Sequence, residues 1–481
     1  MVRWMDGLGR LRDSGHNEKG SGMKTKGEIK EWVAGVIPES IASMGDGVYV
    51  VGGAVRDFFL GFDPKDVDVL VTGKSYEQIV KHLEGFGSVD VVGQSFGVVK
   101  FRSNDGEFDI AIPRRERSTG IGHKDFAVES SPDISVEEDL YRRDFTINSI
   151  AIGGDGEVID PLHGIDDIDK KVIRVNSDES FIDDPLRMMR AVQFAARFGF
   201  EIESNTFEQM KIHHKSIGSV STERIAEELN KMMLKADKPS VGLEIMRKSG
   251  MMKVLFPELD RMHDCQQQGT SHQWDVWWHT LYSVDFGTKN LPVRLAMMWH
   301  DSGKPVVRDY NEEQDRARFH NHEFVSGKYI RKALERLHYS NDIIEEAEFL
   351  VRNHMFSTRV KDKTLRRFLV KSGAYIDHLI DVRVADRLAH DGKKDSKVIE
   401  RFRERCHVEL NKKPPLDRKM VNLDGNDVMR ILGIGPGKYV GDVIDYLFVQ
   451  VVDEPEKNVP EILEKMVLEF HKNQVDHGMA V

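Results

Sequence analysis

The chain has 481 residues, a formal net charge of −11 and only two cysteines, Cys265 and Cys406. Two cysteines exclude a disulfide framework and fit a reducing cytoplasm, and no apolar run is long enough to cross a membrane. An acidic chain is not a general nucleic-acid coating protein, although a local basic groove stays compatible with this charge, and the length predicts roughly three or four domains.

The first half of the chain begins with a polar extension and continues with strand-like segments. Residues 1–25 are rich in Gly, Ser and charge, which predicts a disordered extension. Short β-branched runs follow, separated by Gly and Asp, with one helical segment at Lys74–Gly85. This pattern predicts a mixed α/β head. The predicted strands are Val48–Val51, Val67–Val71, Val98–Phe101, Phe108–Ile112 and Thr146–Ile152.

From about Pro185 the hydrophobic period becomes helical and stays so almost to the end. Glu258–Thr270 has the composition of a linker, and a second helical unit runs from about Trp274 to Asp391. Pro414-Pro415 opens a last segment with helices from about Asn426. After the extension, the predicted domains are a head at 26–165, a helical neck at 166–260, a helical body at 270–395 and a helical tail at 410–475.

A Gly-Gly pair and a DxD pair lie close together in the predicted head. Gly52 and Gly53 let backbone N–H groups approach a phosphate closely. Alternation along a strand places Asp66 and Asp68 on one face, where they can share divalent metals. Asp109 is a candidate third ligand, or a solvated carboxylate at a strand edge. Because Mg²⁺ prefers carboxylate and phosphate oxygens, the sequence predicts nucleotidyl transfer from a nucleoside triphosphate.

Two later segments place arginines next to carboxylates. Arg142 and Arg143 can grip a triphosphate through paired N–H groups, and a surface ion-pair cluster is the alternative. Asp184 suits a helix N-cap, but it can also accept a hydrogen bond from an exocyclic amine. Arg187, which shares a helix face with Arg190, can donate to a ring acceptor. Cytosine and adenine present an amine beside an acceptor nitrogen, so this pair predicts selection of C and A over U and G.

Taken together, these motifs resemble the class II tRNA nucleotidyltransferase/poly(A) polymerase family, whose best-known members are CCA-adding enzymes. The match covers residues 45–235 and rests on VGGAVRD, the DxD pair, RRDFTIN, DPLHG and DDPLRMMRAVQFAARFGF, in that order. The resemblance implies an α+β protein with a polymerase-β-like, mixed-sheet nucleotidyltransferase head, an all-α neck, a helical body and a tail. It also implies addition of C and A to the tRNA 3′ end from CTP and ATP, with the acceptor stem recognised by shape.

The resemblance implies roles for single residues as well. It places Mg²⁺ on Asp66 and Asp68, and the segment 116–123 in a loop used when switching from C to A. Two positions depart from the family pattern, Asp183 where Glu is usual and Gln193 where many members carry Arg. Both changes bear on nucleotide affinity and on the C-versus-A preference. The implied nucleotide contacts are Gly52, Gly53, Arg56, Arg143, Asp184, Arg187 and Arg190.

Imidazoles and carboxylates are spread over the second helical unit. The adjacent pair His300-Asp301, followed by Ser302-Gly303-Lys304, resembles the HD phosphohydrolase superfamily. That resemblance implies a second divalent-metal centre and hydrolysis of a phosphomonoester or a 2′,3′-cyclic phosphate by metal-activated water. The metal is open among Mn²⁺, Ni²⁺, Co²⁺ and Mg²⁺. The implied ligands are His279, His300, Asp301 and Asp386, with His322 and His354 as ligands of a second ion.

The leading hypothesis is therefore CCA addition to tRNA, with phosphohydrolase activity in the HD domain. A poly(A) polymerase or a partial CC- or A-adding enzyme is the alternative within the family, because the segment that decides is a mobile loop. A metal-dependent phosphohydrolase with an RNA-binding head is the alternative from another class, and a catalytically inactive tRNA scaffold is the simplest one. Oligomeric state stays open.

Overall fold

The structure, a computed structural model, describes residues 24–64, 66–93, 97–118, 126–267, 275–311, 313, 316–390 and 395–476. The predicted extension at 1–25 lies outside this part of the chain except for Lys24 and Thr25. Within it the chain forms two compact units, Met1–Pro257 and Glu258–Val481. The division falls where the predicted linker begins. No described helix is both long and apolar enough to cross a membrane.

The first unit contains a seven-stranded mixed sheet in the order β3-β4-β5-β2-β1-β8-β9. Strands β2 and β5 pair in parallel, and the other neighbours pair antiparallel. Strands β6 and β7 form a hairpin, and β10 pairs in parallel with β11. The strands are β1 Val48–Val51, β2 Asp68–Val71, β3 Ser88–Gly93, β4 Val98–Ser103, β5 Gly106–Ala111, β6 Arg114–Ser118, β7 Phe126–Ser130, β8 Ala151–Gly153, β9 Val158–Ile159, β10 Val172–Ile173 and β11 Glu201–Ile202.

Helices pack against this sheet and then form the neck. The first begins at a capping box, in which Thr25 accepts from Glu28 N and the Glu28 carboxylate accepts from Thr25 N. Gly199 and Gly250 end two neck helices in the left-handed conformation. The helices are α1 Lys26–Val36, α2 Glu39–Ala42, α3 Gly53–Phe59, α4 Tyr76–Leu83, α5 Val136–Tyr141, α6 Gly164–Asp169, α7 Ser180–Asp183, α8 Leu186–Phe198, α9 Ser204–His213, α10 Thr222–Lys235, α11 Pro239–Ser249, α12 Met251–Leu255 and α13 Pro257–Asp260.

Three sequence predictions in this unit need correction. The predicted strand Thr146–Ile152 is wrong in its first half, because Thr146–Asn148 is a 3-10 turn and only β8 follows as strand. Asp66 precedes β2 rather than lying within it, because the strand begins at Asp68. The neck is not all-α, because β10 and β11 form a two-stranded parallel pair within residues 166–260. In the segment 116–123, residues up to Ser118 form part of β6 and the rest lies outside the described residues, so its role as a loop stays a prediction.

The second unit is helical apart from one short hairpin, in which β12 Asp309–Asn311 pairs with β13 Arg316–Arg318. Its tail has a core of its own, which includes Val443, Leu447 and Leu463. The helices are α14 Val276–Phe286, α15 Leu291–Trp299, α16 Lys304–Val307, α17 His322–Arg336, α18 Asn341–Asn353, α19 Asp362–Ser372, α20 Ile376–Ala389, α21 Lys397–Asn411, α22 Gly425–Leu432, α23 Lys438–Asp453 and α24 Pro460–Asp476. The predicted helical body and tail are confirmed.

Candidate functional site

A cavity of about 570 Å³ opens in the first unit, between the edge of the sheet and the start of α8. Its walls come from segments far apart in sequence, so only folding brings them together. All seven predicted nucleotide contacts line it, and so do Asp68 and Asp109, whereas Asp66 does not. The polar lining residues are Gly52, Gly53, Arg56, Asp68, Asp109, Arg114, Arg142, Arg143, Asp144, Asn148, Asp183, Asp184, Arg187 and Arg190.

Strand register places two carboxylates opposite each other in the cavity wall. Asp68 and Asp109 are direct partners across the parallel pair β2–β5. Desolvation raises the pKa of Asp68, Arg143 lowers it, and the charges of Asp109 and Asp66 raise it further. The net pKa shift is upward, and burial of the carboxylate is its largest cause. The charges of Asp66 and Asp109 both reach Asp68, although Asp66 lies just outside the strand.

Gly52 shows why the Gly-Gly pair is needed at the end of β1. Its φ is +74°, a conformation that side chains rarely adopt, and a Cβ there would lie 2.8 Å from Nη1 of Arg143. The same Cβ would lie 3.8 Å from Oδ2 of Asp68. The missing side chain therefore leaves room for a guanidinium and a carboxylate beside the start of α3.

Both arginines of the RRDFTIN motif are held by one carboxylate that the sequence analysis did not single out. Oδ1 of Asp139 accepts from Arg142 Nε at 2.9 Å, and Oδ2 accepts from Arg143 Nε and Nη2 at 3.2 and 3.0 Å. Asp139 is fully buried, and although desolvation raises its pKa, Arg143 and Arg142 bring the pKa below its usual value. The ion pairs of the alternative interpretation are thus present, but they orient the two arginines in a cavity wall rather than on an open surface.

A chain of hydrogen bonds links α8 to α3 along the cavity wall. Arg190 Nε donates to Asp144 Oδ2 at 2.7 Å, and Asn148 Nδ2 donates to Asp144 Oδ1 at 2.9 Å. Arg56 Nη1 donates to Asn148 Oδ1 at 2.7 Å, and its other edge binds Asp57. Arg56 is buried, with its guanidinium over two phenylalanine rings of α8. These contacts fix the arginines before a ligand arrives.

The predicted base-reading pair lies where α8 begins. Asp184 Oδ1 accepts from Leu186 N at 3.0 Å, although the N-cap of α8 is Pro185 rather than Asp184, so the N-cap interpretation is wrong. Asp184 Oδ2 accepts from Arg224 Nη2 at 2.8 Å. Arg187 donates to Ser180 Oγ at 3.2 Å and to the Arg142 carbonyl at 2.8 Å. Each carboxylate oxygen accepts more than one bond and a guanidinium has five N–H groups, so both side chains retain capacity for a base.

The two departures from the family pattern differ in placement. Asp183 lines the cavity. Gln193 is 1% exposed, and its Nε2 has no hydrogen-bond partner among the described residues. Arg190 also approaches Glu228 of α10 at 3.7 Å, and Glu228 binds Lys231 at 3.0 Å. Gln193, three residues after Arg190 on α8, is therefore buried and does not line the cavity.

The second unit brings all six predicted histidines and aspartates into one buried cluster. Nε2 of His279 lies 3.2 Å from Asp386 Oδ1 and 3.2 Å from Nε2 of His300. Asp301 turns one oxygen to each side, with Oδ2 3.2 Å from His300 and Oδ1 3.2 Å from His322. His354 completes a group with Asp301 and His322 whose candidate ligand atoms lie within 4.8 Å of one another.

Local backbone contacts fix the tautomers of three of these histidines. Nδ1 of His300, His322 and His354 lies 2.7–2.8 Å from the carbonyl oxygen three residues earlier, at Met297, Phe319 and Val351. A carbonyl only accepts, so Nδ1 carries a proton and Nε2 is the nitrogen that faces the cluster. This donor set fits a divalent transition metal. The described residues hold a further candidate metal group, His263 with Asp264 and Asp275.

The charges in this cluster support one another. Desolvation lowers the pKa of His354 to about 3, and the charge of His300 acts in the same direction, so His354 is neutral. Desolvation raises the pKa of Asp301, but His300 and Lys304 bring it well below its usual value. Lys304 Nζ donates to Asp301 Oδ2 at 2.7 Å. Lys304 was noted in the sequence only as a neighbour, because a lysine one helical turn after an aspartate carries no signal by itself.

Three family models match the chain. The poly A polymerase head domain matches residues 48–174, a probable RNA- and SrmB-binding site of polymerase A matches 199–262, and the HD domain matches 271–391. These spans follow the order of the head, neck and helical body.

Curated relatives and solved structures agree with these models. The multifunctional CCA protein of Methylobacillus flagellatus is 35% identical over 68% of this chain and 79% of its own length, and that of Neisseria gonorrhoeae is 33% identical over the same shares. A Bacillus stearothermophilus CCA-adding enzyme in complex with CTP has a TM-score of 0.67 at 20% identity, covering 95% of this chain and all of that one. A Thermotoga maritima CCA-adding enzyme complexed with tRNA has a TM-score of 0.54 at 22% identity, covering 93% and 99%. The structures establish the shared fold.

Proposed function

Because the chain belongs to the class II tRNA nucleotidyltransferase/poly(A) polymerase family, we propose that it adds C and A to the 3′ end of tRNA from CTP and ATP. The observation that carries the proposal is the single cavity that gathers the Asp68–Asp109 pair, Arg143 and the Asp184–Arg187 pair. One end offers carboxylates and the other offers base-reading groups. A tRNA substrate also fits a cytoplasmic location.

The head residues divide the work of nucleotidyl transfer among them. Asp68 and Asp109, joined by Asp66, would hold Mg²⁺, which would lower the pKa of the attacking hydroxyl and neutralise the leaving pyrophosphate. Arg143 donates to the triphosphate, beside the open space over Gly52. The carboxylates, facing one another in register, suit a hard cation with oxygen ligands.

Base choice depends on hydrogen-bond complementarity at the start of α8. Asp184 accepts from the exocyclic amine of C or A, and Arg187 donates to the neighbouring ring nitrogen. Uracil and guanine place a carbonyl and an N–H there, which would leave buried polar groups unpaired. Arg224 and the Arg142 carbonyl orient the two side chains without blocking them.

The test is extension of a tRNA that lacks its CCA end, with each nucleotide supplied separately and then together. We expect two C residues and one A, and no incorporation of U or G. Long A tails would indicate a poly(A) polymerase, and arrest after CC or a requirement for a CC end would indicate a partial enzyme. Incorporation of all four nucleotides would contradict the proposed base selection.

A second activity is favoured by the buried His–Asp cluster of the HD unit. We infer that His279, His300, Asp301 and Asp386 hold one divalent ion and that His322 and His354 hold another, with Asp301 between them. Water activated there would hydrolyse a phosphomonoester or a 2′,3′-cyclic phosphate. Hydrolysis of both substrates is measured with Mn²⁺, Ni²⁺, Co²⁺ and Mg²⁺, and no turnover with any of the four would leave the cluster a structural metal site.

A further inference from the structure

We propose that Asp139 is a positioning residue that keeps the Arg143 guanidinium off Asp68, so that this carboxylate stays available to a divalent cation. The inference rests on the proposed function of the head. Asp139 lies on α5, outside the Gly-Gly, DxD and α8 motifs, and Asp139 does not line the cavity. Its contribution would therefore be made through the arginines that it holds.

The two oxygens of Asp139 have separate tasks. Oδ1 accepts from Arg142 Nε at 2.9 Å and from the backbone N–H of Arg114 at 3.3 Å. Oδ2 accepts from Nε and Nη2 of Arg143. The carboxylate is fully buried, so water does not replace the arginines as its hydrogen-bond partners. Charge-assisted hydrogen bonds of this kind are stronger than those between neutral groups. One edge of the Arg143 guanidinium is thereby fixed on α5.

The other edge of Arg143 points toward the acidic end of the cavity. Nη1 lies 2.8 Å from the position of a Cβ on Gly52, and Oδ2 of Asp68 lies 3.8 Å from the same position. Arg143 acts on the pKa of Asp68, yet the contacts described for the two residues include no ion pair between them. Arg143 is therefore poised beside Asp68 and bonded to Asp139.

Removing the charge of Asp139 frees the guanidinium to choose another carboxylate. Asp68 is within reach across Gly52, because Arg143 Nη1 and Asp68 Oδ2 lie 2.8 Å and 3.8 Å from the same position beside Gly52. An Arg143–Asp68 ion pair would occupy the oxygens that a cation needs. We expect this competition to weaken cation binding about tenfold.

The experiment measures Mn²⁺ binding by electron paramagnetic resonance, on the full chain without nucleotide or tRNA. Head-site Mn²⁺ is defined as the fraction that Asp68→Asn fails to bind. We expect Asp139→Asn to raise the dissociation constant of this fraction about tenfold. The matched control is Glu138→Gln, which removes a charge from the same helix, where Glu138 binds exposed Arg115 instead. Its dissociation constant should be that of the wild type.

A double variant separates positioning from a general loss of structure. Arg143→Gln combined with Asp139→Asn removes the competing guanidinium, so Mn²⁺ binding should return to the wild-type value. Failure of the double variant to recover, or unchanged binding in a folded Asp139→Asn protein, would overturn the proposal. If Asp139→Asn does not fold, Asp139→Glu replaces it. A carboxylate one methylene farther out cannot receive both arginines equally, and an unchanged dissociation constant would again overturn the proposal.

Failure of this inference differs from failure of the proposed function. If Asp68→Asn loses Mn²⁺ and nucleotide addition while Asp139→Asn retains wild-type binding, only the positioning role of Asp139 is wrong. If Asp68→Asn binds as much Mn²⁺ as the wild type and still adds nucleotides, the metal role proposed for the head is wrong, and the inference about Asp139 is rejected with it.

Discussion

The head cavity and the HD cluster hold their functional side chains by different means. In the head, Asp68 and Asp109 meet because two parallel strands pair in one register, and Arg143 is held by Asp139. In the HD unit, each of three histidines is oriented by a carbonyl only three residues earlier, as His300 is by Met297. The meeting of Asp68 and Asp109 depends on tertiary structure, whereas the orientation of the histidines, like the bond between Asp139 and Arg143 four residues apart, is local.

This difference fits the chemistry proposed for each site. The head lies around an open cavity with long arginine side chains, as a site needs when it receives triphosphates carrying either C or A. The HD cluster is buried, with a neutral His354 and the ionised carboxylates of Asp301 and Asp386 preset for a metal. We therefore expect the head to tolerate exchange of its metal or its nucleotide. The HD cluster should be less tolerant when any of its metal-ligating residues is replaced.

The largest expected effect is on the head alone. Asp68→Asn should lower the rate of nucleotide addition roughly a thousandfold, because the attacking hydroxyl and the leaving pyrophosphate lose the cation that stabilises their negative charge. Phosphohydrolase activity should stay unchanged. Both rates are measured on the same preparation. Asp105→Asn, in the exposed turn before β5, is the control and should add nucleotides normally. Equal loss of both activities would break the separation between the two sites.

The converse substitution tests the HD cluster. Asp301→Asn should lower phosphohydrolase activity at least a hundredfold and reduce the bound transition metal, measured by elemental analysis, because Asp301 contacts both histidine groups. Nucleotide addition should stay within about twofold of wild type. Asp381→Asn is the control, since Asp381 binds Arg403 on a neighbouring helix. Retained metal in Asp301→Asn would contradict the ligand assignment.

Base selection should respond more modestly. Asp184→Ala should reduce the preference for CTP over UTP by roughly tenfold to a hundredfold, because the acceptor for the exocyclic amine is lost. The ratio of kcat/KM values for the two nucleotides is the measurement. Asp178→Asn is the control, because Asp178 binds Asn205 outside the cavity. A fall in the rate with both nucleotides at an unchanged ratio would assign Asp184 to its hydrogen bond with Leu186 N alone.

The smallest effect concerns the departure from the family pattern on α8. Gln193→Leu should stabilise the protein by about 1 kcal/mol, because it replaces a buried amide lacking a partner on Nε2. Thermal and urea unfolding measure the change. Gln78→Leu is the contrast, since Gln78 accepts from Ser75 N in a capping box and its loss should destabilise. A destabilised Gln193→Leu would indicate a contact that involves the amide.

Motifs with fixed spacing determined much of this molecule from sequence alone. The Gly-Gly and DxD pairs, the arginines before the turn at Thr146 and the HD doublet indicated the family, the mixed-sheet head and the helical body. They could do so because each motif is local, and its chemistry requires particular side chains at particular separations. Alternation along the chain misassigned Asp66 and Thr146 to strands, because periodicity does not fix where a strand begins.

Tertiary structure decided which of the nearby polar groups are buried with those motifs. Asp139 lies three residues before Arg142 and four before Arg143, a local spacing that allows contact, but only the fold shows that its carboxylate is the buried one. Arg224 reached Asp184 only through the packing of α10 against α8. An acidic residue on a helix is ordinarily solvated, and Glu138 likewise lies four residues before Arg142, so nothing in the one-dimensional pattern distinguishes Asp139 from Glu138. Burial made the difference, since a buried carboxylate must find its charge partners within the fold.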